Sequence, residues 1–396
     1  MSQFKSRPNT PTNGVPISPT LTQDSRPVDQ DLRGSGTVAD PYVVDWTGNG
    51  DEDNPYNWKA SYRYTLAFLI GVSAFCVTYA SSAYTGGLNG IVRDLDTSLD
   101  IALLGLALYV LGFGLGPLVW GPLSEVYGRR PIFFASYIPF ACFHLGSALA
   151  PSVPVMMVFR LLAGSFGSSV FSVPAGIIGE LFRPHERGPV GLLVLAVSPL
   201  IGPVFGPIGG GFISGSGHKG WRWNFWAMFI FAVVTLAGMS FVSETFAPVL
   251  LRRRAERLQK ASEGRLHYVS KFDLHGKKKP STTLKIALSR PFAMLIHEPI
   301  VLVLTIYIAL IYGVLYGLFA SFPIIFGSHR HWTPGQSGLA FLGVGVGVFI
   351  SIGMAPVFNR RYMRIARAGT VQPEERLVMC CVGAILLPVS LIWFAW

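Results

Sequence analysis

Four groups of residues have the types and spacing to do chemistry, and two of them carry charge where charge is costly. The run Gly121-Pro122-Leu123-Ser124-Glu125-Val126-Tyr127-Gly128-Arg129-Arg130-Pro131 sets one carboxylate and two guanidinium groups in a short link between apolar stretches. Gly128 permits a tight turn there. Arg129 and Arg130 can reach carboxylates or helix C-termini, and Glu125 can pair with an arginine or with a helix N-terminus. Arg160 is the only charge between Pro131 and Gly179. An arginine in such a run is either functional or snorkels to the interface, and Pro154 lies only about two helical turns away. Gly202, Gly206 and Gly210 recur every fourth residue. They line one helix face and let a second backbone come close. Pro203 and Pro207 follow in step, each removing a backbone donor and bending the helix.

The fourth group is aromatic. Tyr79, Ser82 and Tyr84 lie in one apolar stretch, and Tyr307, Tyr312, Tyr316 and Phe319 in another. The last three follow i, i+4, i+7 and share a face. Aromatic walls with a few hydroxyls suit varied, partly apolar, often cationic small molecules, although any one of these residues serves equally well in packing. No P-loop, no H-E-x-x-H and no intramembrane carboxylate pair is found, so neither an ATP-driven pump nor a hydrolase is indicated. Cys76, Cys142, Cys380 and Cys381 lie in apolar runs without metal-ligand spacing and read as small buried hydrophobes. The sequence asks for no cofactor and no metal.

The elements that hold these groups must be membrane helices. Of 396 residues, 51% are hydrophobic and 13% charged; a soluble domain carries about 25% charged. No charge occurs over residues 64–92, 101–124, 188–217, 223–243, 299–329 or 377–396. A span needs about 20 apolar residues, and lipid cannot satisfy an open backbone. Nine spans are expected, near 64–86, 101–121, 131–149, 154–179, 188–212, 223–243, 299–322, 335–357 and 377–396. These runs are long and continuously apolar, unlike barrel strands. The net charge of +11 lies in alternate loops, which orients the chain with its N-terminus in the cytoplasm and excludes nucleic acid as the partner.

Residues 1–60 read as a disordered cytoplasmic tail, since the first 50 have too few large apolar groups to fold alone. Residues 61–243 form a six-helix unit, 244–298 a basic linker, and 299–396 a further three helices. Within the linker, Pro248–Lys260 reads either as an amphipathic helix attracted to anionic lipid or as a solvated connector. It also holds Lys277, Lys278 and Lys279.

The Gly121–Arg130 pattern resembles the G-x-L-x-(D/E)-x-x-G-R-R/K loop of the major facilitator superfamily. The Asp51–Trp58 entry, the Arg160-x-x-x-Gly164 pair and the Gly202–Gly211 run resemble motifs of its fungal twelve-span drug:proton antiporters. That resemblance implies an all-α membrane bundle of two pseudo-repeated halves, the second incomplete because the chain ends after the ninth span. It implies a conformational latch at Gly121, Glu125, Gly128, Arg129 and Arg130, and proton coupling through Arg160. It also implies an antiporter motif at Gly202, Pro203, Gly206, Pro207 and Gly210, and a cavity lined by the first and seventh helices. The expected activity is proton-coupled export of small organic molecules by a monomer in the lipid bilayer of the plasma membrane, with protons as the coupled partner. A non-transporting sensor of the same fold and an inactive truncated fragment are the alternatives.

Overall fold

The structure is a computed structural model that describes residues 33–184, 186–215, 220–274, 280–367 and 377–395. Residues 1–32, Lys277, Lys278, Lys279 and Trp396 lie outside the described residues. Eight helical segments among the described residues are long and apolar enough to span a membrane. They match the first eight expected spans. The ninth corresponds to a shorter apolar helix, Cys380–Ala395.

Most spans are interrupted, and the sequence says where. Span 1 comprises α1 (Ala60–Ala83), a 3-10 turn (Tyr84–Gly87) and α2 (Leu88–Asp94). Span 2 is α3 (Leu99–Leu115), capped by the Ser98 hydroxyl, followed by α4 (Pro117–Tyr127); Gly116-Pro117 removes a donor at the joint. Span 3 is α5 (Arg129–Ala148). Span 4 is α6 (Val153–Gly167) and α7 (Ser169–Leu181). Span 5 is α8 (Arg187–Gly191), a π turn (Leu192–Val197) and α9 (Ser198–Ser214). The wide turn leads into Pro199, which could not donate an α-helical bond. Span 6 is α10 (Gly220–Met239).

Two helices of the linker follow, α11 (Ala247–Ala261) and α12 (Pro280–His297). Span 7 is α13 (Pro299–Arg330). Span 8 is α14 (Pro334–Leu339), opened by a Thr333/Gln336 capping box, and α15 (Leu342–Arg367). Span 9 is α16 (Val378–Ala395).

Span 1 is the most buried of the eight. It packs on α9, α10 and α7, while α5 and α6 pack on each other and α3 lies along α6. The later helices meet the first six spans where α9 packs on α14 and α15, where α13 and α14 reach the Tyr84–Gly87 turn, and where the linker helix α12 packs on α4. Spans 7 and 8 turn most of their apolar side chains outward.

The segment before span 1 is not wholly unstructured. β1 (Tyr42–Val44) pairs in parallel with β2 (Tyr268–Ser270) of the linker. Val44 closes on Leu251 and Ala255 of α11, with Trp46, Leu258 and Tyr268 around them. This corrects two expectations. Residues 33–58 do fold, because the linker supplies the apolar surface that they lack. The apolar face of α11 is covered by protein and not by lipid. The cysteines also depart from expectation: Cys76 is buried, but Cys142, Cys380 and Cys381 are exposed on outward faces.

Candidate functional site

The centre of the bundle is built around Arg160. It does not snorkel; it is fully buried. Its Nε donates to the Gly105 carbonyl at 3.1 Å, and its two terminal nitrogens donate to the carbonyls of Ala80 at 3.1 Å and Ser81 at 3.2 Å. The guanidinium also lies over two rings, Tyr84 at 4.5 Å and Tyr109 at 4.3 Å. Ala80 and Ser81 belong to the last turn of α1, where carbonyls lack helical partners. Arg160 is therefore a cation capping a helix C-terminus from a neighbouring span. Asn224 of α10 does the same for Ala83, its Nδ2 donating to that carbonyl. The tyrosines that sandwich Arg160 are held in turn: the Tyr84 hydroxyl donates to the Ala102 carbonyl at 2.6 Å and that of Tyr109 to the Val77 carbonyl at 2.9 Å.

No carboxylate touches Arg160 among the described residues. Desolvating a guanidinium costs several kcal/mol. Three charge-assisted hydrogen bonds at roughly 1.5–3 kcal/mol each, with two desolvated ring contacts at up to about 2 kcal/mol each, are enough to offset that. His144 completes the wall. It is fully buried between Phe140 and Phe225, and neither ring nitrogen has a hydrogen-bond partner among the described residues.

From this centre a polar contact crosses to span 7: the hydroxyls of Ser81 and Tyr316 lie 3.0 Å apart. Tyr316 stacks on Tyr312 and meets Phe319 edge-on, and Phe319 is buried against Phe341. The structure thus gathers Tyr84, Tyr316 and Phe319 near Arg160, with half-exposed Tyr312 at the rim. It does not bring in the rest of the aromatic set. Tyr79 faces Gly209 and Phe231, Ser82 fills the hollow at Gly206, and Tyr307 reaches the Cys380 carbonyl at 3.3 Å. Those two residues of α1 are turned toward α9 and α10 by the helical period. Just beyond Tyr84, a cavity of about 340 Å³ lies among Thr85, Asn89, Leu103, Pro323, Trp332 and Ser337.

The glycine stripe of α9 meets α1. A Cβ at Gly202 would strike the Thr78 side chain, one at Gly206 the Ser82 hydroxyl, and one at Gly210 the Ala83 carbonyl. On another side of α9, Gly211 abuts Pro334, and the Pro207 carbonyl abuts Gly338 of α14. The helix is a spacer between span 1 and span 8, and both contacts are backbone-close. Pro203 and Pro207 are buried inside it.

The charged turn is organised by two residues that the sequence reading missed. Gly128 adopts φ +103°, a value that favours glycine. A Cβ there would lie 2.6 Å from a carboxylate oxygen of Glu244. Glu244 accepts from the backbone N–H groups of Arg129 at 3.0 Å and Arg130 at 3.1 Å, and so caps the N-terminus of α5. It also accepts from Thr245 and Phe246, each at 3.0 Å. Arg129 is nearly buried. It pairs with Glu180 at 3.0 Å, donates to the Ser124 hydroxyl at 2.6 Å and lies 4.6 Å over the Phe246 ring. The Thr245 hydroxyl donates to the other Glu180 oxygen at 2.7 Å. Arg130 reaches the Ser240 carbonyl at 3.1 Å.

Glu125, expected to pair with an arginine or a helix N-terminus, does neither. It is exposed and has no hydrogen bond or ion pair among the described residues. Its neighbour Ser124 occupies the buried side of α4, which leaves position 125 turned roughly 100° away. Gly121 faces only Ser172, at 3.7 Å from a notional Cβ, so no close approach depends on it. The signal for Glu180 and Glu244 was their position: each is a carboxylate at the end of an apolar span, on the face that carries Arg129.

Comparison with known proteins agrees with this architecture. The Major Facilitator Superfamily model matches residues 70–396. The chain is 42% identical over 367 residues to an MFS-type efflux pump of Trichophyton rubrum, covering 92% of this chain and 61% of that one. It is 41% identical over 374 residues to the major facilitator superfamily multidrug transporter mdrA of Aspergillus fumigatus, covering 93% and 60%. The chain thus spans about three fifths of the length of these curated relatives. Among solved structures it is similar to the xylose transporter XylE from E. coli in a partially occluded inward open conformation. There the TM-score is 0.52 at 17% identity, covering 78% of this chain and 72% of that one.

Proposed function

The chain belongs to the major facilitator superfamily, and from that premise we propose that it works in the proton-coupled export of small organic molecules by alternating access. The observation that carries this reading is the buried guanidinium of Arg160, which caps the broken end of span 1 while Ser81 beside it bonds to Tyr316 of span 7. A rearrangement at Arg160 is thereby felt directly by the contact between the first six spans and the later ones. A guanidinium does not release its proton in proteins. Arg160 therefore couples by holding or releasing span 1, and the transported proton binds elsewhere.

Arg129, Glu180 and Glu244 form the latch on the basic face. It biases the equilibrium between two states if it is made in one and broken in the other. The substrate lies against Tyr312 at the rim, with Tyr316, Phe319 and Tyr84 packed behind it, a wall suited to aromatic or cationic molecules. In this reading residues 61–243 and 299–396 are a first half and part of a second, the basic loops face the cytoplasm, and the protein is a monomer of the plasma membrane. The efflux pumps and multidrug transporter among its relatives favour transport over sensing.

The test is efflux from cells lacking their own exporters. Fluorescent or radiolabelled drug should leave faster when the chain is expressed, and collapse of the proton gradient should abolish the gain. Efflux that persists after collapse would sink the coupling.

A further inference from the structure

We infer that the segment before span 1 docks on the linker after span 6 as a clasp, and that this clasp limits how far α12 and span 7 can move from the first six spans. The docking has backbone, apolar and ionic parts. Tyr42, Val43 and Val44 lie beside Tyr268, Val269 and Ser270 in parallel register. The Tyr42 N–H donates to the His267 carbonyl at 2.8 Å, and that of Lys271 to the Val44 carbonyl at 3.2 Å. Two three-residue strands are not stable by themselves. Val44, Leu251 and Ala255 supply a small buried patch beneath them.

Three ion pairs surround that patch. Asp51 pairs with Arg254 at 2.6 Å, Asp45 with Lys271 at 2.5 Å, and Asp273 with Arg252 at 2.8 Å. Asp51 is buried. Its carboxylate also accepts from the Thr47 N–H at 2.8 Å, the Thr47 hydroxyl at 3.0 Å and the Asp53 N–H at 3.0 Å. The same segment is anchored at its other end to the turn between spans 4 and 5. The Tyr56 hydroxyl donates to the Gly179 carbonyl at 2.7 Å, and Arg187 donates to Tyr56 at 3.0 Å. The linker is thus tied, through residues 42–56, to the body formed by the first six spans.

The consequence is one of reach. Unclasped, with α11 and α12 kept as helices, the chain between Met239 and Pro299 could extend on the order of 140 Å, at up to about 3.5 Å per extended residue and about 1.5 Å per helical one. With the clasp closed, the last pinned residue is Asp273 and α12 starts at Pro280, a reach of about 25 Å. Because α12 packs on α4, a shortened leash keeps α12 near the Gly128–Arg129 turn throughout the cycle. This inference goes beyond the transport reading and is tested without any substrate.

The experiment uses full-length protein in which Cys142, Cys380 and Cys381 are replaced by Ser. Spin labels are placed at Tyr127→Cys on α4 and Ile296→Cys on α12, both exposed positions. Arg254→Asp is compared with Arg254→Lys, which keeps a cation opposite Asp51 and leaves the hydrogen bonds from Thr47 and Asp53 in place. Loss of a partly buried charged pair should speed chymotryptic cleavage of the linker about tenfold and add a longer component to the α4–α12 distance distribution. Arg254→Lys should keep slow cleavage and the narrow distribution at unchanged melting temperature of the bundle. Unchanged cleavage in Arg254→Asp would show that there is no clasp. Faster cleavage with an unaltered distance distribution, or a Lys variant that behaves like Arg254→Asp, would show that the clasp does not restrain α12.

Discussion

A single guanidinium does more at Arg160 than charge alone explains. It reaches three carbonyls on two spans and lies between two rings. A lysine has the charge but neither the planar fork nor the reach to three acceptors at once. Arg160→Lys is therefore expected to lose at least two of these bonds, lowering efflux more than tenfold and thermal stability by on the order of 3 kcal/mol. Near-normal efflux and melting of the purified Lys variant would show that only the charge matters. On the basic face the carboxylate that counts is Glu180, which is only 16% exposed and holds Arg129. Glu180→Gln should cost about 1–2 kcal/mol after allowance for its partial exposure and slow efflux. Glu125→Gln should stay within about 0.5 kcal/mol of the parent, because Glu125 is exposed. Paired melting curves of the two variants decide this, and equal effects would refute the assignment.

At the scale of the element, α9 shows why a glycine spacing is not a mere absence of side chains. The notional Cβ of Gly206 lies 2.9 Å from the Tyr79 carbonyl oxygen and 2.8 Å from the Ala83 nitrogen. Both are backbone atoms of α1, so no rotamer change relieves the overlap. Gly206→Ala should thus already impair folding, costing roughly 1–3 kcal/mol as overpacking does, and Gly206→Leu should block stable insertion. Gly179, with open space around its notional Cβ, is the control: Gly179→Ala should be tolerated. Surface abundance of the three variants reports the outcome, and normal abundance of Gly206→Leu would exclude this face as a helix interface.

For the molecule as a whole, the clasp predicts its own pH dependence. Burial pushes the Asp51 carboxyl up, but hydrogen bonds from Thr47, Arg254 and Asp53 outweigh it and leave the group below its ordinary value of 3.8. A carboxyl depressed in the folded state contributes stability above its unfolded value and loses it as pH falls through the folded one. The Asp51 contribution should therefore be complete at neutral and mildly acidic pH and fade only below about 3.8. An acid-active protease that cleaves the linker should show constant protection down to pH 4 and rising cleavage below it. Loss of protection between pH 7 and pH 5 would point to another group.

The spans, their order and the charged turns follow from the sequence alone, because hydrocarbon imposes one rule on every residue of a span and uncharged runs are visible without neighbours. The glycine period of α9 and the isolation of Arg160 were legible for the same reason: each is a local violation of what lipid or a helix tolerates. What those residues touch was not legible. The partners of Arg129 and Gly128 come from positions 180 and 244, and the partners of Arg160 from positions 80, 81 and 105. Helical period assigns a face but not the neighbour opposite it, so Tyr79 and Ser82 could not be told from Tyr84. The pairing of residues 42–44 with 268–270 is the clearest case. Neither strand has a pattern of its own, and only the packing of α11, which needed its apolar face covered, decided that the two would meet.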